Sequence, residues 1–478
     1  MRKISIILII LFFALSRQGF AQDSKKFIGT WEGKLNVGIE LRVVFHIKED
    51  SKGGFITTGD SPDQSTYDIP TSSTTIKGNE ITIEVASLNA SYTGKLVNDS
   101  TIEGVFSQGG DIELVLKKAE KQSEAKKLVR PQTPMPPFPY KSEDVEYDNN
   151  NKTLHYGATI TIPEGKGPFP AAVMITGSGA QNRDEEILGH KSFAVIADHL
   201  TKNGFIVLRV DDRGIGKSTG DFKSSTSEDF AKDVNTSVDY LLSRSETDKK
   251  RVGLIGHSEG GMIAPMVASQ RKDIDFVILF AGPGEKIIDL MAEQNAAIIK
   301  SSGVSEAATL RFIPAYKSIV TAIIRAKDSA NATLNAAGEL AKWSMTTDES
   351  TKKELGLNTA EEQKKYIDAL VPAFYTSPWF RYFLAFDPTP YLEKLRCKVL
   401  ALNGEKDLQV ISKSNLAGIE SALKKSKSKT YDVKELPGLN HLFQNCKKCT
   451  LKEYGELEET ISPGVLSIIS DWLNKNIR

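Results

Sequence analysis

Residues 251–266 read Arg-Val-Gly-Leu-Ile-Gly-His-Ser-Glu-Gly-Gly-Met-Ile-Ala-Pro-Met. The apolar run Val252–Ile255 predicts a buried strand. The chain then turns through Gly256-His257-Ser258-Glu259-Gly260 and continues as a small-residue helix from about Gly261 to Ser269. A serine on a sharp strand-to-helix turn presents its hydroxyl at the end of a sheet, the setting of a nucleophile elbow. Glycines flank it where the backbone passes too close for a Cβ.

Gly-x-Ser-x-Gly is a weak pattern alone, and it occurs twice here. In the second copy, Gly216-Lys217-Ser218-Thr219-Gly220, the serine follows the polar turn Asp211–Gly214 and runs into polar Asp221–Ser225. Ser218 is therefore read as a loop serine. Gly214–Ser218 also invites a phosphate-loop reading, but that motif needs a glycine where Asp211 stands.

A chain of 478 residues predicts two or three folding units. Its 61 basic and 61 acidic residues balance, which gives no electrostatic case for nucleic acid or an acidic membrane surface. Arg2 and Lys3, the apolar run Ile4–Leu15 and Gly19-Phe20-Ala21 predict a signal peptide over residues 1–21. The run is short for a membrane span, which needs about 20 residues, and no later stretch reads as long and apolar enough. The mature chain is expected to be exported, periplasmic or secreted, without a span. Of the three cysteines, Cys446 and Cys449 are read as a local disulfide, with two free thiols as the alternative. A zinc site would want a second ligand pair. Neither metal nor organic cofactor is expected.

Residues 22–118 carry short alternating runs, Ile39–Ile47, Ile81–Val85, Ser91–Leu96 and Ile112–Leu116, parted by turn signals such as Lys77-Gly78-Asn79. They predict an all-β sandwich or small barrel, and its opening, Gly29-Thr30-Trp31-Glu32-Gly33, resembles lipocalin-like barrels. Packing or positioning is the favoured role over ligand binding, for want of clustered reactive side chains. Residues 119–142 read as a Pro-rich, semi-rigid linker. From 143 to 478 strands alternate with helices, implying a parallel sheet with both faces covered. A helical insertion at about 285–386 reads as a cap, with Trp379, Phe380, Tyr382 and Phe383 near its exit as pocket or anchor residues.

A serine hydroxyl needs a base, and the base an orienting acid. In this fold both follow the serine, acid first. Asp407 lies after strand Val399–Leu402 and His441 after strand Thr430–Leu436, so with Ser258 all three fall at carboxyl ends of strands. Glu405 is the alternative acid. The other histidines precede the serine, and His257 is held in the elbow itself. The oxyanion hole needs two backbone donors. Glu259 N–H is one; Ser178, then Gly179, in Thr176-Gly177-Ser178-Gly179 are candidates for the other. Arg183, Asp184, Asp212 and Arg213 are read as a charged support beneath that loop.

Gly177–Asp184, Asp211–Ser218, Gly256–Gly261, Asn403–Asp407 and Asn440-His441-Leu442-Phe443 together resemble exported bacterial α/β-hydrolases of the esterase type, near the serine-aminopeptidase-like and dienelactone-hydrolase-like branches. The resemblance covers about Val145–Arg478. It implies an α/β-hydrolase fold with a helical cap, a Ser258, Asp407, His441 triad and carboxylesterase activity on short acyl esters. Thr176 departs from relatives that carry His before the glycine. The expectation is thus a cofactor-independent serine hydrolase taking a small-molecule ester. Two alternatives stand beside it: an aminopeptidase-like amide hydrolase, with Glu293, Asp348 or Glu349 holding a substrate amine, and a non-catalytic carbohydrate or lipid binder.

Overall fold

The computed structural model describes residues 24–477, apart from 37–39, 51–52, 63–65, 87–89, 109–110 and 120–128. The expected signal peptide lies outside the described residues. The chain divides into two compact units, Met1–Val129 and Arg130–Arg478.

The first unit is one nine-stranded antiparallel sheet. Strand Gly29–Asn36 sits mid-sheet, pairing with Glu40–Glu49 on one side and Asp111–Lys118 on the other. Alternation sets the inner face: in Glu80–Val85, Ile81, Ile83 and Val85 are buried. Trp31 and Tyr92 are fully buried. Each finds a carbonyl for its polar end, Trp31 Nε1 donating to Phe27 O (2.7 Å) and Tyr92 OH to Leu114 O (3.2 Å). Of the sandwich and barrel readings the sheet takes the second, as a half-barrel. Thr74 Oγ1, on the strand at one edge, donates to Thr57 Oγ1 (2.8 Å) near the other.

The second unit is built on an eight-stranded sheet. Its order is Lys141–Asp148, His155–Ile162, Ile206–Val210, Phe169–Ile175, Thr247–His257, Ile274–Phe280, Lys398–Gly404 and Tyr431–Leu436. The first two joins are antiparallel and the remainder parallel. Central strands such as Ile274–Phe280 are buried nearly end to end, as expected where helices cover both faces. Helix Ser227–Ser243 begins with the Thr226–Asp229 capping box read from sequence. The edge strand Lys141–Asp148 buries only Tyr147, so its polar sequence carried no strand signal.

The Pro-rich stretch expected as a spacer differs from that expectation. From Arg130 onward it belongs to the second unit. The Arg130 guanidinium donates to Leu188 O (3.0 Å), Gly455 O (2.8 Å) and Leu457 O. Gln132 Nε2 donates to Ile461 O (2.7 Å) while its Oε1 accepts from Thr460 N (2.6 Å). Two polar side chains convert an extended segment into a strap.

Between strands Ile274–Phe280 and Lys398–Gly404 the chain runs through helices Ile287–Ser301, Glu306–Ile324, Ser329–Thr346, Glu349–Glu354, Ala360–Tyr375 and Pro378–Leu384. This cap has its own core, including Phe312, Tyr316, Ile319, Ile323, Leu340 and Ile367. One of its helices corrects the expectation about later apolar stretches. Glu306–Ile324, 19 residues with a mean hydropathy of 1.2, is long and apolar enough to cross a bilayer. Its buried residues Phe312, Tyr316, Ile319 and Ile323 recur at helical spacing on the face turned to the cap core.

Candidate active site

Ser258 caps helix Glu259–Ala268 with φ 52° and ψ −115°. A non-glycine residue there costs roughly 1–3 kcal/mol, so the surroundings must enforce the turn. Ser258 N donates to Phe280 O and Gly261 N to Ser258 O, both at 2.8 Å. A Cβ on Gly256 would lie 2.1 Å from Gly260 O, and one on Gly260 would lie 2.1 Å from Ile175 O. These two glycines are therefore steric requirements of the elbow.

His441 follows Asn440, whose Oδ1 accepts from Leu442 N and Gln444 N (both 3.0 Å) and so winds the loop tightly. His441 Nδ1 lies 2.8 Å from Asp407 Oδ2, with both residues buried. The other Asp407 oxygen accepts from Gln409 N (2.7 Å) and Val410 N (2.9 Å), which fixes the carboxylate in its loop. Glu405, the alternative acid, accepts instead from Gly438 N (3.0 Å) and pairs with Lys406. With Nδ1–H given to the carboxylate, Nε2 of His441 is left as an acceptor nitrogen.

Ser258 and His441 line one cavity of about 380 Å³. Gly177, Ser178 and Glu259 line it too, whereas Gly179 (φ +98°) faces a separate small pocket beside Thr176 and Asp212. Gly177 N donates to Glu185 Oε1 (2.7 Å), leaving Ser178 as the next loop donor. Glu259 N begins a helix and has no acceptor within it. Trp379, Phe380 and Phe383 supply an aromatic wall; Tyr382 lines an outer groove instead.

The Glu259 side chain was not singled out by sequence. Its carboxyl accepts from Ser227 Oγ (2.6 Å) and Trp379 Nε1 (2.7 Å). Burial pushes its pKa up, against hydrogen bonds from Ser227, Trp379 and Ser178 that lower it. Through Trp379 it ties the cap to the elbow.

The charged support takes more partners than the sequence named. Arg183 forks onto Asp211, Nε donating at 3.0 Å and Nη2 at 2.6 Å, and Asp184 pairs with Arg209. Asp212 accepts from Thr176 Oγ1 (2.7 Å) and Gln181 N (2.9 Å). Burial pushes Asp212 up to about 8. Arg213 Nη2 donates to Asp233 (2.9 Å). Ser218 is a buried loop serine, donating to Asp211 O (2.7 Å) and accepting from Gly157 N (3.0 Å).

Glu185 and His257 also line the cavity, and neither was proposed from sequence as part of the site. The available signal was the run Asn182-Arg183-Asp184-Glu185, whose last member reaches under the elbow. The three cap acids weighed for a substrate amine are engaged away from the cavity. Glu293 accepts from Ser414 Oγ, Asp348 caps its helix at Thr351 N (2.9 Å) and pairs with Arg311, and Glu349 pairs with Lys352. Cys446 and Cys449, just past His441, are joined (S–S 2.10 Å).

Among characterised proteins, the chain is similar to esterase EstD of Thermotoga maritima, 36% identical over 135 residues, 28% of this chain and 32% of that one. It is also similar to mouse acyl-coenzyme A thioesterase 3, 29% identical over 135 residues and 26% of each chain. These matches span about a third or less of either relative. Solved structures resembling it include a hypothetical protein of Pseudomonas aeruginosa (16% identity, 72% of this chain and 96% of that one, TM-score 0.43). An esterase of Pyrococcus furiosus gives 13%, 71%, 92% and 0.40 respectively. A family model described as serine aminopeptidase, S33, matches residues 190–445, over half of the 478-residue chain, and the protein belongs to that family of α/β-hydrolases.

Proposed function

We propose that the protein is a carboxylic ester hydrolase working through an acyl-enzyme, with Ser258 as nucleophile, His441 as base and Asp407 as orienting acid. The observation that carries this reading is the 2.8 Å contact of His441 Nδ1 with Asp407, at a cavity lined by both Ser258 and His441. Ser258 Oγ attacks the ester carbonyl while His441 Nε2 takes its proton. The tetrahedral oxyanion receives the N–H groups of Glu259 and Ser178. The imidazolium returns the proton to the departing alcohol, and water then repeats the sequence on the acyl-enzyme.

The walls support a neutral ester with a short acyl or aromatic part. Ile187, Leu290, Met291, Trp379, Phe380 and Phe383 line the cavity, and its described lining contains no Lys or Arg. Its two carboxyl groups, Glu185 and Glu259, already hold donors of the protein, which favours an ester over an amine-bearing peptide. The reading includes export, supported by the disulfide, which suits an oxidising compartment.

The test is fluorophosphonate labelling of the wild type beside Ser258→Ala, followed by turnover of nitrophenyl esters of increasing chain length and of aminoacyl nitroanilides. Labelling lost in Ser258→Ala, with esters preferred and short chains turned over fastest, is the expected result. Full esterase activity in Ser258→Ala, or faster nitroanilide than ester turnover, would overturn it.

A further inference from the structure

His257 is buried in the elbow with both ring nitrogens facing acceptors. Nδ1 lies 3.0 Å from Glu185 Oε1 and Nε2 lies 3.1 Å from the backbone carbonyl of His441. With Glu185 as a carboxylate, both contacts are hydrogen bonds only if both nitrogens carry protons, which makes the ring an imidazolium. Its charge has a partner: the Glu185 carboxylate, itself buried. Glu185 is held in place by a turn, with φ +47° and its N–H given to Asn182 O (2.9 Å). The same carboxylate oxygen accepts Gly177 N–H at 2.7 Å. A Cβ placed on Gly177 would stand 3.2 Å from Glu185 Oε1, 3.3 Å from Ser258 Cβ and 3.5 Å from His257 Nδ1. The pair therefore lies directly against the loop that precedes Ser178.

Resting on the acyl-enzyme reading above, we propose that Glu185 and His257 are positioning residues that lock the oxyanion loop and the His441 loop into one frame. Glu185 holds the oxyanion side through Gly177, and His257 holds the base side through the His441 carbonyl. Each loop follows a strand of the one eight-stranded sheet, and this two-residue bridge adds a direct tie between them that fixes the oxyanion donors relative to the base. An error there is felt in the transition state, where the oxyanion and the proton transfer coincide, and much less in substrate binding. Burial disfavours the charge on His257, but Glu185 outweighs it and holds its pKa above the ordinary range. The charged or titratable groups facing it are Glu185, Asp407 and His441, whose ring centroid lies 4.8 Å away.

The experiment compares wild type, Glu185→Gln, Glu185→Ala and His257→Gln, with kcat expressed per fluorophosphonate-labelled site so that misfolded protein drops out. Glu185→Ala and His257→Gln are expected to lose on the order of 10- to 100-fold in kcat with KM within about twofold. Glu185→Gln keeps an acceptor for Gly177 N–H and is expected to lose less. In His257→Gln the Glu185 charge stays behind unbalanced, which favours a protonated neighbour and moves the acid limb of the kcat/KM profile to higher pH. Unchanged kcat per labelled site in Glu185→Ala and His257→Gln, or a fixed acid limb, would overturn the proposal. A wild type that takes no label, or a Ser258→Ala protein that still turns over, would instead remove the reading it rests on.

Discussion

At the scale of single residues, the chemistry depends on atoms held against their preferences. Ser258 sits at φ 52°, held by its N–H to Phe280 O and by Gly261 N at its own carbonyl, with glycine required at 256 and 260 where carbonyls approach. Gly260→Ala is expected to yield little folded protein, seen as loss of a cooperative thermal transition. Asp407→Asn keeps the shape of the proposed acid but presents the wrong group to His441 Nδ1. By analogy with the measured effect of that change in other serine hydrolases, kcat should fall on the order of 10⁴-fold, with the Tm little altered. Ser218→Ala makes the opposite case. It strands the buried Gly157 N–H and Asp211 O, so it should cost about 1–3 kcal/mol in denaturant unfolding and leave kcat per labelled site unchanged.

At the scale of elements, the helix Pro378–Leu384 joins two functions. Trp379, Phe380 and Phe383 give its inner side to the cavity, and Trp379 Nε1 reaches Glu259 at the start of the elbow helix. The cap is thereby attached to the residue whose N–H is the proposed oxyanion donor. Trp379→Phe removes that hydrogen bond and keeps the ring. The net worth of a hydrogen bond is about 0.5–1.5 kcal/mol, so KM for aromatic esters should rise roughly two- to tenfold, measured against a small acetate ester that barely contacts the wall. Equal KM changes for both esters would show that the bond does not set the wall.

At the scale of the whole molecule, long-range ties hold the catalytic unit together. His190, fully buried, meets Thr460 Oγ1 (3.0 Å) through Nδ1 and Tyr454 O (2.9 Å) through Nε2. Burial lowers its pKa from 6.5 to about 4, helped by the nearby Arg130 charge. Below pH 6.5 the unfolded chain takes up a proton that the folded chain refuses, so stability falls as pH drops from 6.5 toward 4. A shift of this size is worth up to about 3 kcal/mol. The Tm of the wild type should decline through that window, and His190→Gln should flatten the slope while lowering the Tm at neutral pH.

Much of the fold was legible locally. The strand, turn and helix around Ser258 differ from their sequence boundaries by a few residues, because Thr247–Arg251 extends the strand with polar residues. The aromatic run Trp379–Phe383, read as pocket or anchor, gives Trp379, Phe380 and Phe383 to the cavity wall and Tyr382 to an outer groove. Glu185 was not legible as a site residue. Its role depends on approach to Gly177 and His257, and His257 is 72 residues away in the chain.

The sequence by itself determined the doubly covered sheet, the helical insertion and the elbow serine, and it narrowed the proposed base to His441 and the proposed acid to Asp407 or Glu405. Those follow from periodicity, from glycine at points of close approach, and from chain order along the sheet. Only the tertiary structure decided that Asp407 rather than Glu405 meets His441, that the Pro-rich stretch after Arg130 is a strap, and that a buried Glu185–His257 pair underlies the site. Each of these is a contact between segments far apart in the chain. Burial alone makes such polar contacts obligatory, and burial is a property of the packed molecule.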